Sequence, residues 1–350
     1  CAFELPGLRH ARKETDMPRL TVAEARTLAE RTMQAIGHTA DEARIIADHL
    51  IDCELRGLSY GGLPRALSIA ERITKASEGA KKRTPIRVES RTPVSALVEG
   101  GDNVGYLVAL KAMDEAIARA KQHGVAVVGA NDTWYTGMLS YYAERIVRQD
   151  LVCMIASNAT PWVAPFGGTQ GRFGTNPICY GFPVTSGDPI IWDIGTSTIM
   201  HAEVVLHERL GTPLPEGRAF GPDGKPTRDA TATLHGGAIK AWGDAKGSGL
   251  GMVVQLLGAM CASPILPAGR AEYGCLFVVM SPGLLMDPAA FKTSVSEYAA
   301  AVRSTRPVEG GAPVRVPFER SAAERRRRIA ADVIEVPDEV LVKLQAIAGA

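Results

Sequence analysis

Ser157-Asn-Ala-Thr-Pro-Trp-Val-Ala-Pro-Phe-Gly-Gly168, followed by Gly174-Thr-Asn-Pro-Ile178, is the stretch where glycine, proline and small polar residues crowd together in this 350-residue chain. Glycine lets a backbone approach a ligand closely, because no Cβ stands in the way. Two further loops share that character, Asp193-Ile-Gly-Thr-Ser197 and Gly243-Asp-Ala-Lys-Gly-Ser-Gly249. The run Lys246-Gly-Ser-Gly-Leu-Gly251 opens an apolar segment that reads as a helix through about Cys261. A helix start offers unpaired N–H groups to a phosphate, and Lys246 adds a cation beside them. Taken singly, each loop also reads as a tight turn.

Outward from these loops the elements alternate. Thr21-Val-Ala-Glu24 and Thr39-Ala-Asp-Glu42 are capping-box patterns, each opening an amphipathic helix, with Gly37 and Gly57 placed as stops. The loop Arg56-Gly-Leu-Ser-Tyr-Gly-Gly-Leu-Pro-Arg65 follows, then a polar, basic segment over 75–93 expected to be a turn and an extended stretch. Strands are expected at 94–99, 125–128, 151–156, 178–182, 190–194 and 275–280, and helices at 105–123, 138–149, 288–303 and 322–331. Residues 100–105 read as a glycine-containing turn and 211–235 as a long connection turning at Pro222-Asp-Gly-Lys225. This order is mixed α/β.

Composition narrows the function classes. At 46% hydrophobic, 22% charged and a net charge of +1, nothing favours a nucleic-acid or membrane-surface partner. No apolar run reaches the length of a membrane span. The N-terminus lacks the apolar core of a signal peptide; residues 1–16 read as an extension, with Met17 nearer the structural start. Arg325 to Arg328 are either a phosphate patch or the solvated face of a helix. Cys1, Cys53, Cys153, Cys179, Cys261 and Cys275 form no C-x-x-C and read as structural thiols of a reducing, cytoplasmic compartment. The G-x-G-x-x-G dinucleotide fingerprint, the P-loop, H-E-x-x-H and G-x-S-x-G are all missing, and the scattered histidines give no reason to expect a metal.

The loops in their order, Ser157 to Ile178, Asp193 to Ser197, Pro222 to Gly224 and Lys246 to Gly251, with Gly100 to Gly105 before them and Pro317-Phe-Glu-Arg320 after, resemble the malate/L-lactate dehydrogenase family over roughly residues 20–345. That family includes ureidoglycolate and sulfolactate dehydrogenases, 2,3-diketogulonate reductase and cyclic imino-acid reductases. The resemblance implies an α/β protein of α+β type. Its NAD(P)-binding domain would be non-Rossmann, on a largely antiparallel sheet over 81–199 and 266–319. An interleaved helical domain would span 17–80, with contributions from about 200–265 and 320–350. It also implies a homodimer, NAD or NADP as cofactor, and a small carboxylate as substrate.

Carried over by position, the cofactor would meet Ser157, Gly174, Thr175, Asn176, Pro177, Ile178, Asp193, Lys246 and Glu319. The substrate would meet Arg65, whose guanidinium fork suits a carboxylate, and Thr160. The rival for Arg65 is a surface ion pair. Two departures bear on mechanism. The family's Ser-His-Gly reads Tyr60-Gly61-Gly62 here, so the histidine position is Gly61. The family's second histidine falls at Tyr135, in Trp134-Tyr135-Thr136-Gly137. Tyr135 and Tyr60 are the candidate proton donors, because a phenol with a pKa of roughly 10 is protonated at neutral pH; the rival for both is packing in a loop. A protonated cyclic imine would need no such donor. The expected function is hydride transfer between nicotinamide and a 2-oxo/2-hydroxy acid or cyclic imino acid. The alternative is a non-catalytic or strongly re-specialised paralogue that binds dinucleotide without the family's usual reaction.

Overall fold

The computed structural model describes residues 17–77, 83–269 and 271–349. Two capping boxes start the fold. Thr21 caps α1 (Val22–Ala35) and Thr39 caps α2 (Ala40–Leu55), each with its Glu reaching back to the cap amide. Ahead of α1, the short β1 (Arg19–Leu20) pairs with β13 (Ile334–Glu335), tying the two ends of the chain together. α3 (Leu63–Ser77) and the C-terminal α11 (Asp338–Ala348) pack on α1, and these helices bury Met33, Ile46, Leu50, Leu63, Ile69 and Leu344 in one core.

The central sheet has seven strands, β2 (Arg87–Thr92), β3 (Ser95–Val104), β4 (Val125–Trp134), β5 (Val152–Ser157), β7 (Ile178–Phe182), β8 (Ile190–Ile194) and β12 (Tyr273–Met280). Their order is β2-β3-β4-β12-β5-β7-β8. Only β3 and β4 run parallel, joined through α4 (Gly105–His123); the other pairings are antiparallel. Alternation along the strands sends side chains to two faces. Cys153, Ile155 and Cys179 face α4 and α5 (Leu139–Val147), whereas Ala156, Ile178 and Ile194 face α8 (Asp244–Met260). α8 lies close on its face because Gly258 has no Cβ; one there would sit 2.3 Å from the Asn158 Cγ.

A smaller sheet, β10 (Pro226–Thr227), β9 (Ala219–Phe220), β11 (Ala238–Lys240) and β6 (Val163–Ala164), packs with α6 (His201–Leu210) and α7 (Ala230–Leu234) around Ile199, Val204 and Leu214. α9 (Pro288–Arg303) and α10 (Glu319–Ala331) complete the chain.

Several expectations are corrected. The turn expected at 100–105 belongs to β3, whose register breaks between Glu99 and Asn103 where Gly101 and Asp102 take positive φ. Asn103 Nδ2 holds that irregularity by donating to the Gly100 carbonyl at 2.8 Å. The connection at 211–235 holds β9, β10 and α7, elements too short to show a periodicity. α3 occupies 63–77, where Gly62 and Pro64 had suggested loop; the basic residues at 78–82 lie outside the described residues, as do Cys1 and the expected extension. The remaining cysteines are buried and free. Arg325 to Arg328 are a helix face, each engaged by Asp52, Asp188 or Glu324.

Candidate active site

The loop 174–178 is the hub on which the candidate residues converge. Ser157 ends β5, and its N–H donates to the Pro177 carbonyl at 3.1 Å. Its Oγ accepts from Thr136 Oγ1 at 3.2 Å, which links the loop to the residue after Tyr135. Gly174 N–H and Asn176 Nδ2 both donate to Gln255 Oε1 of α8, at 3.1 and 2.9 Å. Asn176 Nδ2 also donates to the Gly251 carbonyl, while its buried Oδ1 has no partner. The Thr175 carbonyl accepts from the Thr196 amide at 2.9 Å, which fixes the 193–197 loop alongside. Asp193 lies opposite Cys179 in the β7–β8 ladder and accepts the Ser140 N–H at 2.7 Å at the start of α5. Burial pushes its carboxyl above the ordinary range, against the Ser140 contacts that lower it.

Lys246 is exposed in the first turn of α8, and Gly243 at the cap contributes no side-chain hydrogen bond. The first amides of α8 therefore remain open to a ligand. Five residues separate Lys246 from Gly251, about 8 Å of helix. Phe166 N–H donates to Ser248 Oγ at 3.0 Å, bringing the 157–168 loop to the same end. These features fit a dinucleotide's diphosphate: an unpaired cation, open helix amides and backbone free of bulky side chains. Glu319 is placed differently. Its carboxylate is taken up by Arg303 Nε at 2.5 Å and the Val316 amide at 3.0 Å, at the junction of α9 and α10.

The second group of candidates lies where the helical core meets β4. Arg65, in the first turn of α3, stacks its guanidinium 4.3 Å from the centre of the Tyr135 ring. It is half-buried, and it forms no ion pair among the described residues. Tyr135 is nearly buried and holds φ at 55°, a conformation costly for a bulky residue, directly after β4. Thr160 Oγ1 lies 3.2 Å from Tyr273 Oη, and Tyr273 and Tyr135 share the same core. Tyr60 sits in a 3-10 turn, Ser59–Gly61, against which α6 packs. Its phenol is pushed further up, by burial first and by the charge of Glu203 next. At Gly61, an added Cβ would sit 3.3 Å from Cys53 Sγ.

Sequence reasoning passed over four side chains here. Glu203, in the first turn of α6, has its carboxyl raised to about 7 by burial. Glu54, in the last turn of α2, is likewise raised to about 7. His201 stacks on Trp162 at 3.6 Å. His49, lowered to about 3 by burial and therefore neutral, accepts the Met138 N–H at 2.9 Å beneath the Tyr135–Gly137 loop. The one signal available was Glu54 itself, which falls on the apolar face of its helix in step with Ile46 and Leu50.

A profile described as malate/L-lactate dehydrogenase matches residues 20–345. The (2R)-3-sulfolactate dehydrogenase (NADP(+)) of Chromohalobacter salexigens is 31% identical, over 94% of this chain and 98% of its own length. A dehydrogenase from Sinorhizobium meliloti, also 31% identical, superposes with a TM-score of 0.87 over 95% of this chain and 98% of that one. The delta1-piperideine-2-carboxylate reductase from Pseudomonas syringae pvar. tomato is 26% identical with a TM-score of 0.78, over 95% of this chain and 100% of that one. The chain belongs to the malate/L-lactate dehydrogenase family, whose members are NAD(P)-dependent dehydrogenases and reductases acting on CH–OH or C=N groups.

Proposed function

We propose that this protein transfers hydride between NADH or NADPH and a small 2-oxo acid or cyclic imino acid, held by its carboxylate against Arg65. The observation that carries this reading is the half-buried guanidinium of Arg65, stacked on Tyr135 and without an ion pair among the described residues. A half-buried cation gains from a counter-ion, and a substrate carboxylate would supply both the charge and two acceptors. Thr160, beside Tyr273, would offer a further hydroxyl.

The cofactor would lie along Ser157, the 174–178 loop and Asp193, with its diphosphate toward Lys246; the bound nicotinamide supplies or takes up the hydride. Glu319, carried over only from the family pattern, would first have to leave Arg303. Tyr135 would donate the proton to the developing alkoxide of a ketone, with Tyr60 as the other phenol at hand. Both phenols suit reduction. A protonated imine would accept hydride without either.

The same reading includes a non-Rossmann cofactor domain on the central sheet, interleaved with the helical core, in a cytoplasmic enzyme. Among the described residues no helix is long and apolar enough to cross a membrane. It also includes a homodimer. Met252, Val253, Leu256 and Met260 form a stripe along α8, each about half exposed, and Ile265 and Leu266 extend it. Such a stripe suits a second copy of the chain. Light scattering at micromolar concentration should give twice the chain mass; one chain mass would rule the dimer out. A dinucleotide-binding paralogue without the reaction is not favoured, since each relative above is named as a dehydrogenase or reductase. The direct test is titration with NADH and NADPH, then turnover on a panel of 2-oxo and cyclic imino acids. Binding of either cofactor without turnover of any such acid would defeat the proposal.

A further inference from the structure

We propose that Glu54 is a positioning residue for the substrate end of the site, clamping the Ser59–Gly62 turn onto α3 and thereby setting where Tyr60 and Arg65 reach. The inference rests on the reading of Arg65 as the substrate's anchor. Glu54 is 1% exposed. Its Oε1 accepts the N–H of Leu63, the first residue of α3, at 2.7 Å. That amide is one of the donors a helix leaves without an internal partner. The contact lies midway between the two side chains concerned, with Tyr60 before it and Arg65 after it. Gly62 is part of the device. A Cβ there would sit 2.2 Å from Oε1, so only glycine lets the carboxyl reach the helix start. The Ser59 hydroxyl lies near enough to favour the charged carboxyl, whereas the buried Oε2 has no hydrogen-bond partner among the described residues.

A serine or asparagine at the cap would hold the amide without burying an acid. The acid makes the clamp sensitive to pH. The charged and polar groups that face it are Arg328 of α10, the Ser59 hydroxyl and the Leu63 amide, while Asp52 and Arg56 of its own helix pair with each other. Burial outweighs all of the groups that favour the charge and raises the carboxyl to about 7. The neutral acid therefore belongs to the closed turn. As pH rises from the ordinary value of 4.5 to about 7, an opened turn gives up the proton that the closed turn keeps, so opening is progressively favoured until about pH 7.

The test uses the full chain with NADH as the cofactor probe. Hydrogen exchange over residues 58–66, corrected for the intrinsic rate, should lose up to about tenfold protection per pH unit between about 5 and about 7 in the parent and level off above that. Glu54→Gln mimics the neutral acid and should stay flat. In turnover, Glu54→Ala should raise KM for the acid substrate about fivefold or more at about pH 6, with KM for NADH unchanged. Glu54→Gln should match the parent at about pH 5 and hold its KM at about pH 8, where the parent's is higher. An Ala variant with an unchanged KM for the acid, or with both KM values moved alike, overturns the proposal. So does a Gln variant that titrates as the parent does. If the parent turns over no acid, the proposed function fails, and the exchange measurement alone decides whether the clamp exists.

Discussion

The loop at 174–178, proposed to meet the cofactor, and the region around Tyr135, proposed to meet the substrate, are built to different standards. Around 174–178 most polar groups, the buried Asn176 Oδ1 excepted, are spent on one another: Gln255 collects Gly174 and Asn176, Thr175 collects Thr196, and Ser157 collects Thr136. Such a loop is fixed before any ligand arrives. Around Tyr135 the groups are held short of satisfaction. Arg65 has an aromatic face in place of a counter-ion, Tyr135 sits in a strained backbone conformation, and Glu54 and Glu203 are carboxyls raised toward neutrality. The first region is organised to hold its shape. The second holds backbone strain and raised carboxyls close to Arg65 and Tyr135, the kind of environment in which reactive groups are tuned.

The largest effect that would sharpen this contrast concerns the proton. Tyr135→Phe keeps the ring under Arg65 and removes only the hydroxyl. If Tyr135 is the donor, ketone reduction should fall about 10²- to 10⁴-fold, and imine reduction should be spared. The parent's kcat for ketone reduction, read at saturating substrate, should stay flat through about pH 6 to 8, unlike that of an imidazole acid with a pKa of about 6.5. A Phe variant within about threefold of the parent on a true ketone would remove Tyr135 from the mechanism.

Next comes the stored charge. Glu203 has a folded pKa of about 7 against an ordinary 4.5. A raised folded value means that its contribution to stability is present below the ordinary value and is lost as pH rises through about 7. The loss is at most about 3 kcal/mol. In urea melts at about pH 5 and pH 8, the stability gap between Glu203→Gln and the parent should move in the variant's favour at the higher pH. A gap that does not change with pH would mean that Glu203 is solvated and that this side of the cleft stores no such charge.

The same contrast separates what was legible in the sequence from what was not. The capping boxes, β7, β8, α9 and the loops at 157–178 could be read because local chemistry dictates them: a cap satisfies its own helix, and glycine marks close backbone approach. α3 escaped although Leu63, Ala66, Leu67 and Ala70 recur at helical spacing, because Gly62 and Pro64 read as loop; α6 and the small sheet escaped because tertiary packing, rather than periodicity, makes them. The site divides likewise. Ser157, Asn176 and Lys246 stand in recognisable loops. Glu203 and His201 stand in a helix that was itself missed, and Glu54's role depends on Leu63 and Gly62, which only the fold brings beneath it.

A smaller effect belongs to Arg65. Arg65→Ala should raise KM for the carboxylate substrate about tenfold to a hundredfold, equivalent to one charge-assisted contact of about 1.5–3 kcal/mol. Arg65→Lys should recover only part, since an ammonium cannot match two carboxylate oxygens at once. Equal losses in substrate and cofactor KM would mean that the substitution disturbed the whole cleft rather than an anchor.

The smallest effect is expected on the preorganised side, and its size is the point. Lys246 is exposed and makes no ion pair among the described residues, so its removal leaves no buried partner stranded. Water also screens its attraction for a diphosphate, as it screens any surface charge. The open amides of α8 and the 174–178 backbone would remain in place in Lys246→Ala. Dinucleotide affinity should therefore fall by about 1 kcal/mol, roughly fivefold, while kcat at saturating cofactor stays put, because the residue would act on binding alone. Fluorescence titration with NADH and NADPH separately would also show whether the lysine reads the diphosphate common to both or the additional phosphate of one. Equal losses place it at the diphosphate, and a loss confined to NADPH places it at the ribose phosphate. No loss with either would take the cofactor away from the start of α8 altogether.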